Sequence, residues 1–220
     1  MIDYLLSISM QNLSTTENIS LIDQWKKRRL SFFLTLLFLT VALVLFSRFV
    51  MWVDTRVGVQ LDDPILTLLS PVDLTWPIFA IIYGGLLLGL AGLFRHPDAL
   101  LLTLRSYGLL LLVRIGAMYV TPLAPPEGMI VLRDPVAGLG PGSVMTNDLF
   151  FSGHTATMVL LFLTARSYYL KFLFCLLAFL LGLMLLFQHV HYTIDVLAAP
   201  FFAYGCYRIM GQFNPQFPDR

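Results

Sequence analysis

Residues 172–188 read FLFCLLAFLLGLMLLFQ, and residues 189–195, HVHYTID, follow at once. The first stretch carries no charge, and its length suits a helix crossing a bilayer core of about 30 Å, which takes roughly 20 apolar residues. The whole chain shares this character. Of its 220 residues 58% are hydrophobic and 12% are charged, and the mean hydropathy is +0.80. Such a composition leaves too little polar surface for a soluble domain. Five further stretches read as spans: about 30–53, 74–94, 99–120, 149–165 and 191–210. The expected fold class is therefore all-α, a polytopic membrane helical bundle with six transmembrane helices. Residues 30–210 form the membrane domain, between polar tails at 1–29 and 211–220.

Other classes fall away. A net charge of +1 without a long basic run leaves no footprint for nucleic acid. Residues 1–20 lack a positive leader and a compact apolar core, so they read as a polar tail rather than a cleaved signal. Cys175 and Cys206 lie inside the fifth and sixth stretches and read as small buried apolar residues. The segment 121–147, rich in Pro and Gly, reads as an irregular lid or connector.

Charge sets the expected threading. Lys26, Lys27, Arg28 and Arg29 stand directly before the first span, and basic residues near span ends stay on the cytoplasmic side. With the N-terminus inside, the inner segments hold nine Lys and Arg, and the outer loops hold only Arg56 and Arg133. Arg48 and Arg105, near span ends, can snorkel to the headgroups. This orientation sends three polar clusters to the non-cytoplasmic face: YVTPLAPPEG (119–128), NDLFFSGHTATM (147–158) and HVHYTID (189–195).

Those clusters hold the candidate chemistry. His191 and Asp195 are four apart and share a helix face. A carboxylate there holds one imidazole nitrogen as N–H and leaves the other free and more basic. His189, two residues from His191, fits a headgroup-level polar role as well as a functional one. His154 follows Ser152 and Gly153, where Ser152 can cap a helix or bind an oxyanion. Arg114 interrupts the third span at a cost of about 2.5–3.5 kcal/mol, and its fork suits a phosphate. There is no Gly-rich nucleotide loop and no Cys cluster. His154, His191 and Asp195 could form a metal site, but the spacing of His191 and Asp195 serves an orienting hydrogen bond as well as it serves joint ligation. The set suits phosphoryl transfer in which one histidine attacks phosphorus, the other protonates the leaving alkoxide, and arginine neutralises the phosphate.

DLFFSGHT (148–155) followed by HVHYTIDV (189–196) resembles the sphingomyelin synthase family, a branch of the lipid phosphate phosphatase (PAP2) superfamily. The stretch RIGAMYVTPLAPP (114–126) is similar to that family's arginine motif, although the turn reads Leu123-Ala124-Pro125-Pro126 rather than Leu-Pro-x-Pro. The residue between the two histidines is Val190, where animal members are expected to have Glu. The resemblance implies a six-span enzyme that moves phosphocholine or phosphoethanolamine from a glycerophospholipid to a lipid hydroxyl, such as that of ceramide or diacylglycerol, without metal or other cofactor. By the same resemblance His191 is the nucleophile, Asp195 its orienting partner and His154 the acid/base. Arg114, Thr121, Asp148, Ser152 and Tyr192 are the expected substrate-binding residues. A lipid phosphatase or phospholipase C-like hydrolase would use the same residues with water as acceptor. A non-enzymatic lipid-binding protein is the third class.

Overall fold

The computed structural model describes residues 21–134, 146 and 148–213. Among them are seven helices: α1 (Leu21–Lys27), α2 (Arg29–Val53), α3 (Thr75–Phe94), α4 (Pro97–Val120), α5 (Gly153–Thr164), α6 (Tyr168–Phe187) and α7 (Thr193–Gln212), with a 3-10 turn at Leu66–Leu68. α2 to α7 fall on the six apolar stretches. The architecture is a helical membrane bundle, and the described residues contain no strand beyond an isolated bridge between Val59 and Leu123.

The six-helix expectation is met unevenly. α2, α3, α4 and α6 are long and apolar enough to cross a bilayer. α5 is apolar but has only 12 residues, which rise about 18 Å. Its predicted first turn, 149–152, is instead irregular backbone that enters the helix at a Ser152 cap. α7 has 20 residues but falls outside the strongly apolar set. The expected tails at 1–20 and 214–220, and most of the connector 135–147, lie outside the described residues.

Position in the bundle follows composition. α4 holds Arg105, Arg114 and several small residues, among them Ala99, Ser106, Gly108 and Ala117, and it is the central helix, packed on α2, α3, α5 and α7. Its apolar window is 56% buried, against 11% for the more apolar α2. In lipid this is the sensible order, since hydrocarbon side chains gain little by turning inward and small or polar ones gain partners there. Cys206 is buried, but Cys175 is exposed. It stands on the face of α6 that also exposes Phe172, Leu176 and Phe179, where an apolar residue needs no protein cover. Arg105 reaches toward the start of α2. Its Nε donates to Thr35 Oγ1 at 2.9 Å and its Nη2 to Ser31 Oγ at 2.5 Å, fastening α4 to α2.

At the end where α2, α4 and α6 finish, the connecting segments are stitched into one cap. Val59 N donates to Pro122 O, and Ala124 N to Val59 O. A Cβ at Gly58 would meet the Leu123 backbone at 2.3 Å, so this close approach requires glycine. Val72 N donates to Phe187 O, and Ile130 N to Gln188 O. Gln188 is fully buried. Its Oε1 accepts from Leu74 N, and its Nε2 donates to Thr75 Oγ1 and Ile130 O.

Candidate active site

The site begins where α5 and α7 start. Ser152 caps α5: its Oγ accepts from Thr155 N at 3.3 Å. Its own N–H donates to Asp195 O at 3.0 Å. That second bond ties the first turn of α5 to the first turn of α7 and so brings His154 beside His191. The chain reaches Ser152 through Phe150, whose φ of 105° lies in the left-handed region that bulky residues avoid, at a cost of order 1–3 kcal/mol. The turn seats Phe151 flat on Phe202, with centroids 4.3 Å apart.

His191 is 3% exposed and Asp195 fully buried. Asp195 Oδ2 accepts from His191 Nδ1 and from Tyr192 N, each at 3.2 Å. A carboxylate can only accept here, so the hydrogen sits on Nδ1. Nε2 of His191 then carries the lone pair.

His191 and His154 both line a cavity of about 450 Å3, together with Arg114, Asp148, Gly153 and Thr157. Arg114 comes from mid-α4. Its Nη2 donates to Asp148 Oδ1 at 2.5 Å, and its guanidinium lies over the rings of Phe46 at 5.0 Å and Phe151 at 5.7 Å. These two rings recover in cation–π attraction part of what burial of the charge costs. Gly153 makes room, since a Cβ there would stand 2.2 Å from Arg114 Nη1. The first turn of α5 also faces the cavity through Gly153 and His154, bringing the positive end of the helix dipole toward it. One cavity thus presents a lone-pair imidazole, a second imidazole, a guanidinium and a helix N-terminus, a combination suited to an anionic phosphoryl group.

Much of the remaining wall is apolar, with Phe79, Ile82 and Leu86 from α3, Leu110 and Leu111 from α4, and Leu43 and Phe46 from α2. Leu43 is also exposed on the outside of the bundle, so the cavity runs out beside α2 to the surface that faces lipid.

Three expected binding residues stand elsewhere. Ser152, fully buried, is the cap and the link to α7. Thr121 Oγ1 donates to Ala117 O beside a separate cleft formed with Arg56 and Gly58. Tyr192 is 1% exposed, and its phenol donates to Ala124 O at 2.9 Å while accepting from Leu61 N at 3.1 Å. It holds the connecting segments together rather than facing the cavity. His189 lies between two carbonyls, Nδ1 at 2.8 Å from Glu127 O and Nε2 at 3.2 Å from Leu69 O, with φ of 54°. Asp148 lines the cavity with its carboxylate bonded to Arg114. Among the described residues, no three His, Cys, Asp or Glu side chains converge as a metal ligand set.

Residues 145–212 match the family model described as PAP2 superfamily C-terminal. The match covers 68 of the 220 residues, and over that stretch the chain is similar to the PAP2 superfamily. It spans Asp148, Ser152, His154, His191, Tyr192 and Asp195, and it stops short of Arg114 and Thr121. No curated protein matches the chain.

Sequence reasoning did not single out Gln188 or Asp63. Asp63 Oδ2 accepts from Thr193 N at 2.6 Å, and its Oδ1 accepts from Thr193 Oγ1, Ile65 N and Leu66 N. A signal was present for Gln188, the lone amide closing an otherwise hydrocarbon helix. For Asp63, in a loop 130 residues from Thr193, there was none.

Proposed function

We propose that the chain is a phosphotransferase that moves a phospholipid headgroup, phosphocholine or phosphoethanolamine, to a lipid hydroxyl such as that of ceramide, within a catalytic domain of residues 30–210. The observation that carries this reading is the Asp195–His191 hydrogen bond at 3.2 Å beside a cavity that His191 shares with His154 and Arg114. The resemblance of the DLFFSGHT and HVHYTIDV motifs supports the choice of transfer over hydrolysis. The apolar walls, open beside α2, suit a lipid donor and a lipid acceptor.

In the first step the Nε2 lone pair of His191 attacks phosphorus. The bond from phosphorus to the glycerol oxygen breaks, and that oxygen takes a proton from the His154 imidazolium, leaving as diacylglycerol. Asp195 keeps Nδ1 of His191 protonated and balances the charge on the phosphorylated ring. In the second step the acceptor hydroxyl gives its proton to the now neutral His154, its oxygen bonds to phosphorus, and the bond to Nε2 breaks. Arg114 and the α5 N-terminus hold the non-bridging oxygens in both steps. The excess of Lys and Arg in the inner segments supports an orientation with this face away from the cytoplasm.

A donor lipid with a chiral, isotopically labelled phosphodiester tests the mechanism. Two displacements retain configuration at phosphorus, whereas inversion would mean direct attack by the acceptor and would remove His191 as nucleophile. Assays with and without ceramide separate transfer from hydrolysis. A new headgroup-bearing sphingolipid supports transfer, and free headgroup phosphate regardless of acceptor would make the protein a hydrolase.

A further inference from the structure

The same cavity has a second polar wall that the phosphoryl chemistry does not use. Tyr83, on α3, donates its phenol hydrogen to Asp134 Oδ1 at 2.6 Å, and both residues line the cavity. Tyr83 is stacked on Phe79, with ring centroids 5.9 Å apart and planes at 20°. Phe79 and Tyr107 line the cavity as well. The cavity's two carboxylates are therefore placed differently. Asp148 is bonded to the Arg114 guanidinium, and Asp134 accepts from the phenol of Tyr83, whose ring stacks on Phe79.

An anion beside aromatic faces is the arrangement that attracts an alkylammonium. The carboxylate supplies the Coulombic pull, and the rings supply cation–π attraction that needs no N–H donor. Phosphate and ammonium cannot both be served by one wall, since Arg114 and the α5 N-terminus repel the cation they would meet. Asp134, His154 and Arg114 line one cavity of about 450 Å3, so a single small zwitterion in it can meet both walls.

We propose that Asp134, held by Tyr83, whose ring stacks on Phe79, is the subsite for the ammonium group of a zwitterionic phosphodiester headgroup. Asp134 then determines which donor lipids the protein selects. This rests on the proposed function for the catalytic half of the cavity, but the ammonium subsite can be read by binding alone. In the wild-type protein in detergent, titration calorimetry should show phosphocholine binding about tenfold more tightly than glycerol 3-phosphate, which bears phosphate without ammonium. Asp134→Asn, nearly isosteric, should abolish that preference, and Tyr83→Phe, which keeps the ring and loses the bond to Asp134, should reduce it. Equal affinity for the two probes in the wild-type protein would overturn the subsite. So would a preference that survives Asp134→Asn, or one lost together with glycerol 3-phosphate binding, which would make Asp134 a support for His154 or Arg114. Turnover of labelled phosphatidylcholine is scored separately. Catalysis without the binding preference removes the subsite alone, and the preference without catalysis removes the transferase reading while the ammonium site stands.

Discussion

Arg114 is bonded to Asp148, sandwiched by two rings and pressed against the bare backbone of Gly153. A lysine there would keep the charge but lose the fork and the flat contact with Phe46 and Phe151. Arg114→Lys should lower kcat/KM about a hundredfold while leaving the thermal midpoint near that of the wild type. Gly153→Ala reaches the same end from the other side. The new methyl would collide with the tip of a flexible side chain rather than with backbone, so the bundle should fold and the guanidinium should leave its seat. We expect a comparable loss of activity at normal stability. Full activity in Gly153→Ala would show that the observed position of Arg114 is not the working one. At this scale the sequence was readable where burial is expensive. His154, His191, Asp195 and Arg114 are ionisable groups in apolar surroundings, which demand a reason. Ser152, Thr121 and Tyr192 are neutral and can satisfy their polar atoms on nearby backbone, so their placement followed from local geometry and not from chemistry.

The start of α7 is the element on which the site depends, and it is held from a distance. Gln188 bonds Leu74, Thr75 and Ile130 just before the turn that places His191. Gln188→Ala would strand several buried polar groups at about 1–3 kcal/mol each. It should destabilise the protein by about 3 kcal/mol, measured by denaturant unfolding in detergent. A change under about 0.5 kcal/mol would mean that water replaces the amide. Asp63 caps the same helix from the loop after α2. Burial pushes its carboxyl pKa up, but hydrogen bonds from Thr193 N, Leu66 N, Thr193 Oγ1 and Ile65 N outweigh this and hold it below the ordinary 3.8. A carboxylate whose pKa is lowered by folding stabilises above its unfolded pKa and loses that contribution as pH falls through the folded value. The thermal midpoint of Asp63→Asn should therefore lie below that of the wild type at neutral pH, and the gap should close below about pH 4. A gap that stays constant with pH would assign the loss to shape rather than charge.

For the whole molecule, the stitched end of the bundle carries the cavity, and the Lys and Arg bias is the ground for proposing that this end is non-cytoplasmic. The protein provides its own complication, because Cys175 is exposed on α6 and would react with thiol reagents unless first replaced. In a Cys175→Ala background, a cysteine at Arg133 should label with an impermeant reagent in intact cells, and one at Lys171 should label only after permeabilisation. The reverse pattern would put the cavity on the cytoplasmic side.

The sequence by itself determined the helical membrane class, the approximate bounds of α2 to α7 and the costly ionisable residues. Hydropathy and charge are local quantities that each segment carries alone. Tertiary structure decided which of those residues meet. A backbone bond from Ser152 to Asp195 brings two histidines 37 residues apart in the chain to one cavity. Packing bonded Asp148 to Arg114, tied Arg105 to α2 and set Asp134 beside Tyr83. Each of these outcomes depends on the distance between groups far apart in the chain, and only the packed bundle sets that distance.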